Sequence, residues 1–519
     1  ESRIHESRIH EYMHQYIKEI GQHEGKSAIL KGWVANIRES KTNIFVVLRD
    51  GTGFMQCVIS LDAVGEEQFE AAKRLSLESS LALTGNIIKD ERQMGGYELQ
   101  ATALEVYGYA KDYPIKVNEN EHGVRHLADR RHLWLRSKRQ WAIMRVRNEI
   151  KMGIHEFFQE RGFIQMDAPI FTGNACEGTT TLFATDFFGE EAFLSQSGQL
   201  YGEAMAMAQG LIYTFGPTFR AEKSDTPRHL AEFWMIEPEM AFYDNEMNMN
   251  MIEKFIKHVI NRVLEKCKVE LEALDRDVEK LAKVNQEFPR VTYVDSVKIL
   301  RGEMEINGKN AIAVQEADLA AAQEGIEVNL KDIAEREAAI KAGMKKGARK
   351  FSEAKIAALR KEIATMEEQV RNIPKWIASA KNFKDGEDFG GSDETVLTRV
   401  FDSPVMVYNW PTNIKAFYMK EVEGDPDHVK GVDLLAPEGY GEIVGGSERE
   451  TDIEVLLKKI KEHDLPMEEF EWYLDLRRFG SVPHSGFGLG LERIVRWCCG
   501  IDHLRETIPF PRRYGRLLP

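Results

Sequence analysis

Residues 27–110 carry the pattern that most restricts how this chain folds. Residues 28–34, 43–49, 54–59 and 81–88 are short apolar or alternating runs, a period that suits half-buried strands and not helices. Asp50-Gly51 and Gly95-Gly96 break the pattern as turns, and a fifth strand follows the second turn. Five strands within about 85 residues predict a small closed barrel.

The rest of the chain changes character twice. The spacing over 136–162 is helical, with Ile143, Val146, Ile150, Ile154 and Phe157 on one face. Residues 163–300 and 387–515 mix strands and helices. Between them, 302–386 turns rich in Ala, Glu and Lys. Ile356, Leu359, Ile363, Met366, Val370 and Ile373 form a heptad seam. Leu330, Ile333, Ile340 and Met344 fit a preceding helix, with Gly343, Gly347 and Ser352 between the two as turn material. The expectation is an antiparallel helical hairpin inserted into a larger domain. Residues 1–10 repeat one pentapeptide and are set aside as an artefact or tag-like repeat.

Composition narrows the function classes. The 519 residues are 43% hydrophobic and 29% charged, which argues against disorder. An apolar run long enough to span a membrane is absent, and no secretory signal is readable. The five cysteines are odd in number and lack paired metal spacing, which points to reduced thiols and a cytoplasmic setting. A net charge of -15 excludes a polybasic nucleic-acid binder but leaves local patches open. One such patch runs from Arg125 through Arg130, Arg131, Arg136, Lys138, Arg139 and Arg145 to Arg147.

Two segments carry chemistry. Phe219-Arg220-Ala221-Glu222 follows an apolar strand and precedes a polar loop, and Glu232 to Glu237 is strand-like again. This is a hairpin with charges at its tip, where a guanidinium fork holds phosphate and Phe233 offers a flat face to a purine. Gly486-Phe487-Gly488-Leu489-Gly490-Leu491-Glu492-Arg493 is glycine-rich and leads into a helix from near Leu489 to Cys499. It fails as a dinucleotide fingerprint because no strand–helix alternation follows. Arg493, if buried in that first turn, requires an anion.

In this order the two segments resemble motifs 2 and 3 of class II aminoacyl-tRNA synthetases, and residues 162–169 resemble motif 1. With a preceding oligonucleotide-binding (OB-fold) barrel, the chain is similar to subclass IIb, whose members handle Asp, Asn and Lys. The resemblance implies an α+β protein. An OB-fold anticodon-binding domain occupies 11–110, and a linker or hinge 111–135. A class II catalytic domain, an antiparallel sheet flanked by helices, occupies 136–301 and 387–519, with the helical hairpin at 302–386 inserted. It also implies a homodimer through motif 1.

The resemblance further implies roles. Arg220, Glu222 and Arg493 would be catalytic. Arg228, His229, Phe233, Glu442 and Gly490 would complete the ATP site, and Glu442, Asp433 and Ser447 would hold Mg2+. Phe45, Gln56 and Glu98 would read the anticodon by stacking and base-edge hydrogen bonds. The basic patch would lie along the tRNA path.

The amino-acid pocket is read from Ser195 to Glu203. Aspartyl relatives carry Ser-Pro-Gln-Leu-Tyr-Lys-Gln there, and the Lys position is Gly202 here. Glu203 would accept from an amide NH2 and Arg449 would donate to the amide oxygen, a pair suited to a carboxamide. Glu177 and Gln199 would bind the α-amino group. The expected partners are ATP, L-asparagine and tRNA(Asn). An aspartyl enzyme, possibly non-discriminating, is the alternative.

Overall fold

The computed structural model describes residues 14–173, 181–224 and 226–519. These fall into two compact units, the first running to Trp141 and including Leu518–Pro519, the second spanning Ala142–Leu517.

The first unit contains a closed barrel of five strands, ordered β1-β2-β3-β5-β4. They are β1 (Ser27–Glu39), β2 (Asn43–Arg49), β3 (Phe54–Ser60), β4 (Ser80–Lys89) and β5 (Tyr97–Gly108). Alternation decides the faces: Ile44, Val46 and Leu48 point inward with Leu30, Ile59, Leu83 and Leu99, leaving Phe45 on the outer face. Closure needs Gly32, since a Cβ there would lie 2.3 Å from the Arg49 carbonyl oxygen. Helix α1 (Leu61–Lys73) joins β3 to β4 and packs Val64, Phe69 and Ala72 onto the barrel. Sequence reading missed it. Residues 111–135, expected to be a linker, instead contain short helices closed by a cluster of Ile115, Leu127 and Trp134.

The second unit is built on a sheet ordered β12-β13-β15-β16-β17-β11-β10-β6. In chain order these are β6 (Ile164–Met166), β10 (Leu211–Phe219), β11 (Glu232–Ala241), β12 (Arg290–Thr292), β13 (Val405–Pro411), β15 (Asp425–Ala436), β16 (Gly441–Glu448) and β17 (His484–Gly490). The short β14 (Glu421–Val422) pairs with β15 off this path. The middle of the sheet is antiparallel, and only the end pairs β6–β10 and β12–β13 are parallel. A small separate sheet holds β7 (Phe171–Thr172), β8 (Ala184–Phe187) and β9 (Glu190–Leu194).

Helix α2 (Lys138–Glu160) buries Ile143, Val146, Ile150, Ile154 and Phe157, as their spacing predicts. Four further helices carry the site and its support: α3 (Gln199–Gln209), α4 (Asn245–Lys266), α8 (Glu471–Arg478) and α9 (Leu491–Cys499). The Asp244 carboxylate accepts the Met247 N–H at 2.8 Å and starts α4, which covers the sheet with Ile252, Phe255, Ile256 and Val259.

The hairpin consists of α5 (Ala311–Ala342) and α6 (Lys346–Lys381). Its seam joins Ile333, Ile356, Leu359 and Ile363, with Ile326, Ile340 and Met366 alongside. Gly325 lets the helices approach, because a Cβ there would meet the Met366 sulfur at 2.6 Å. The turn falls at Gly343, whose φ is 101°. Gly347 and Ser352 lie inside α6, and Leu330 is exposed, so the expected inner face of the first helix shifts to Ile326, Ile333 and Ile340. Helix α7 (Gly391–Thr398) follows.

Candidate active site

The hairpin of β10 and β11 presents Arg220 at its base, and Phe233 lies on the returning strand opposite Thr218. The Arg220 guanidinium lies 5.5 Å from the Phe233 ring centre. Its Nε is buried without a hydrogen-bond partner. A buried, unpartnered guanidinium N–H costs free energy unless an anion meets it, so this orphan fits a phosphate.

Arg220, Glu222, Arg228, His229, Phe233, Glu442, Gly490 and Arg493 all line one cavity of about 110 Å3. Arg493, in the first turn of α9, donates through Nη1 to the Glu442 carbonyl at 3.0 Å and reaches its carboxylate at 3.1 Å. Arg493 is half-buried there, and a carboxylate of the chain itself already answers its charge. Arg228 is held by Glu394 at 2.7 Å and by the Gly439 carbonyl at 2.8 Å. His229 lies 3.4 Å from Glu222, and burial depresses its pKa.

A second cavity of about 290 Å3 adjoins the first, sharing Arg220, Met235, Glu442 and Gly488. Gln199, Asp433 and Arg449 line it. Burial opposes the charge of Glu442, yet Arg493 and Lys415 hold it below the ordinary glutamate range. Glu394 is pushed up to about 7 by burial and by Glu442. Asp433 meets the Lys415 ammonium at 2.6 Å.

Two expectations need correction here. Glu203 does not line either cavity. It is fully buried, and its carboxylate accepts from Tyr473 Oη at 2.8 Å, Arg477 Nη2 at 2.8 Å and His484 Nε2 at 2.9 Å. Against that burial, Arg477, His484 and Arg449 hold it well below the usual carboxylate range. The carboxylate that meets Arg449 is that of Glu239, at 2.5 Å from Nη2 and 3.2 Å from Nε. Burial pushes Glu239 up to about 7, against the pull of Arg449. The signal for it was available: Glu239 is two residues beyond Glu237 and so shares its face of β11. Gly202 serves this arrangement, since a Cβ there would lie 3.2 Å from Glu239 Cγ.

The second correction concerns Ser447. Its hydroxyl is fully buried and accepts from Arg449 Nη1 at 2.8 Å, and Ser447 does not face Glu442 and Asp433 across the second cavity. The position facing Glu442 and Asp433 is Gly445, where an added Cβ would lie 3.2 Å from Glu442 Oε1 and 3.5 Å from Asp433 Oδ1. Two hard oxygen donors converge there, a set that fits Mg2+. Glu177 lies outside the described residues. Gln199 borders the second cavity but donates its amide to Glu203 at 3.2 Å.

In the barrel, Gln56 and Glu98 are register partners on β3 and β5, joined by Gln56 Nε2 donating to Glu98 at 2.5 Å. Gln100 donates to the other Glu98 oxygen, and Arg38 bridges Gln56 and the Phe45 ring at 3.2 and 5.7 Å. Phe45, Gln56 and Glu98 therefore form one outer face, with Arg38 and Gln100 as members that sequence reading missed. The basic patch is less free than its sequence suggests. Arg131 donates to Gln140, Arg136 pairs with Glu78, Arg145 with Glu270 and Arg147 with Glu492.

An antiparallel sheet with an arginine hairpin, a glycine-rich strand and a terminal arginine helix defines a class II synthetase catalytic unit, and the barrel is of OB type. The family model for class II tRNA synthetases (D, K and N) matches residues 124–514, and that for the OB-fold nucleic acid binding domain matches 28–107. An asparagine–tRNA ligase of Pelotomaculum thermopropionicum is 45% identical over 97% of this chain and 99% of its own length. One from Symbiobacterium thermophilum is also 45% identical, again over 97% and 99%. The solved asparaginyl-tRNA synthetase of Pyrococcus horikoshii, complexed with asparaginyl-adenylate, superposes with a TM-score of 0.80 at 36% identity, covering 98% of this chain and all of that one. The chain belongs to the class II tRNA synthetases, and within them to the asparagine–tRNA ligase family. An aspartyl-tRNA synthetase of Entamoeba histolytica, at 21% identity, shares the fold alone.

Proposed function

We propose that this chain activates L-asparagine with ATP and then esterifies the 3′-terminal ribose of tRNA(Asn). The observation that carries the reading is the buried Glu239–Arg449 pair beside the unpartnered Arg220 Nε, in adjoining cavities. Glu239 accepts from the substrate amide NH2 while Arg449 donates to its oxygen. Aspartate would bring a second carboxylate against Glu239.

In the first step a substrate carboxylate oxygen attacks the α-phosphorus, and the bond to the bridging oxygen of pyrophosphate breaks. The nucleophile is already ionised, so the protein supplies position and charge neutralisation in place of a base. Arg220 donates to the α-phosphate. Phe233 and Arg493 hold adenine between them, Glu222 contacts the nucleotide, and Arg228 and His229 reach the outer phosphates. Gly490 keeps the backbone close. Glu442 and Asp433 would hold Mg2+, which when bound would neutralise phosphate charge. Glu177 and Gln199 bind the α-amino group. In the second step the 3′-hydroxyl attacks the acyl carbon and AMP leaves.

Phe45 stacks on an anticodon base while Gln56 and Glu98 read base edges. Homodimerisation is supported by apolar side chains left in water near motif 1: Ile164, Ile170, Phe171, Phe187 and Phe188, the last 93% exposed. Among the described residues the four cysteines are free and buried, which suits a reducing cytoplasm. Among the described residues no helix is long and apolar enough to cross a membrane.

The test is amino-acid-dependent ATP–pyrophosphate exchange with Asn, Asp and Lys side by side, followed by tRNA charging. Exchange with Asn alone supports the reading, and exchange with Asp overturns the pocket assignment.

A further inference from the structure

The hairpin tip carries the densest run of cations along the two helices. Between Glu337 and Glu353 lie Lys341, Lys345, Lys346, Arg349 and Lys350, with no acidic residue, in a chain whose net charge is -15. All five are exposed. Only Arg349 has an ion-pair partner, Glu353, and that pair is itself open to water. Along the rest of the hairpin Arg336 pairs with Asp332, Arg360 with Glu337 and Lys381 with Glu316, while among the described residues Lys331, Lys355, Arg371 and Lys375 show no ion pair, so the density of its cations, and not their lack of partners, sets the tip apart.

The segregation has a physical cost. Lys345 and Arg349, and Lys346 and Lys350, are like charges four residues apart on or beside one helix face, a spacing that destabilises a helix. The end of α5 and the start of α6 meet at this turn with opposite dipole charges, so the tip's field is set by its side chains. Phe351 stands beside them, 69% exposed. One aromatic next to five cations lacks the broad apolar face that an interfacial membrane helix needs. Cations at this density suit a polyanion, and the 32 residues of α5 carry them along a helix of about 48 Å.

We propose that the hairpin tip binds the phosphate backbone of the cognate tRNA, as a contact additional to the anticodon face. The proposal rests on the tRNA-ligase reading above. Lys341, Lys345, Lys346 and Lys350 each meet phosphate, and the contact is electrostatic and indifferent to base identity.

The test uses the full chain and a transcript of tRNA(Asn). In the variant combining Lys341→Gln, Lys345→Gln, Lys346→Gln and Lys350→Gln, the KM for tRNA rises roughly five- to tenfold near 150 mM salt. The slope of log kcat/KM against log salt becomes shallower by about 3. Asparagine-dependent ATP–pyrophosphate exchange is unchanged, and the matching Lys→Arg variant keeps the wild-type KM. A KM and salt slope equal to wild type overturn the proposal, whatever else the tip binds. So does an Arg variant as weak as the Gln variant. If the fourfold variant loses exchange, the pair Lys345→Gln and Lys350→Gln is read in the same way, with about half the change in slope. Failure of the wild-type chain to charge tRNA counts against the ligase reading and not against the tip.

Discussion

Arg449 holds the Glu239 carboxylate by two nitrogens, Nη2 at 2.5 Å and Nε at 3.2 Å, with both side chains almost completely buried. The pair survives burial because each charge answers the other and Ser447 takes a third guanidinium nitrogen. Gly486 makes room for it: a Cβ there would come within 2.3 Å of Glu239 Oε1. For the Glu239→Gln variant, kcat/KM for asparagine in pyrophosphate exchange is expected to fall by about 100-fold, roughly 2.7 kcal/mol, with discrimination against aspartate reduced. Unchanged selectivity would remove Glu239 from the pocket assignment.

Glu203 is a structural anchor for α8 against α3. Removing it leaves Arg477 and His484 buried with no carboxylate between them. Glu203→Ala is expected to lose about 3–5 kcal/mol of stability, read as a lower denaturation midpoint of the folded chain. An unchanged midpoint with a raised KM for asparagine would restore Glu203 to substrate contact.

Arg220 has a buried Nε without a hydrogen-bond partner and lines both cavities. Arg220→Ala is expected to lower kcat for exchange by about 100- to 1,000-fold. Arg220→Lys rescues little, because an ammonium cannot reproduce the planar fork. Rapid-quench measurement of adenylate formation separates this loss from product release.

His503 supplies a pH dependence of stability. Burial, and then Arg505, Arg513 and Arg496, push its pKa down to about 3. Its Nδ1 accepts the Arg505 N–H at 3.1 Å, which requires the unprotonated ring. In the unfolded chain a histidine binds its proton near pH 6.5. The unfolded state therefore holds more protons between those values, and stability falls as pH drops below about 6.5. Thermal midpoints at pH 5 and pH 7.5 are expected to differ less in His503→Gln than in the parent chain.

Glu98 sits between two amide donors on the outer face of the barrel. Glu98→Ala is expected to raise the KM for tRNA by about tenfold, the value of one base-edge contact, with no change in pyrophosphate exchange. Equal losses in both assays would make Glu98 a barrel-stability residue.

The sequence by itself determined the elements whose signal is local. Alternating runs declared the barrel strands, the 3,4,3,4,3 seam declared the second hairpin helix, and the spacing of Ile143 to Phe157 declared the face of α2. The motif residues Arg220, Phe233, Glu442 and Arg493 were legible too, and the fold brings them to one cavity. Tertiary structure alone decided which of several carboxylates meets Arg449 on the wall of the second cavity. Glu203 and Glu239 are equally acidic on paper, but Tyr473, Arg477 and His484 arrive from segments about 270 residues away and claim the first. Arg449 arrives from β16's far end and claims the second. The same holds for Ser447, whose hydroxyl turns to Arg449 while Gly445 faces Glu442. A charge pattern in one dimension counts carboxylates and cations. Their pairing depends on which side of each strand they leave, and that is settled only when the sheet assembles.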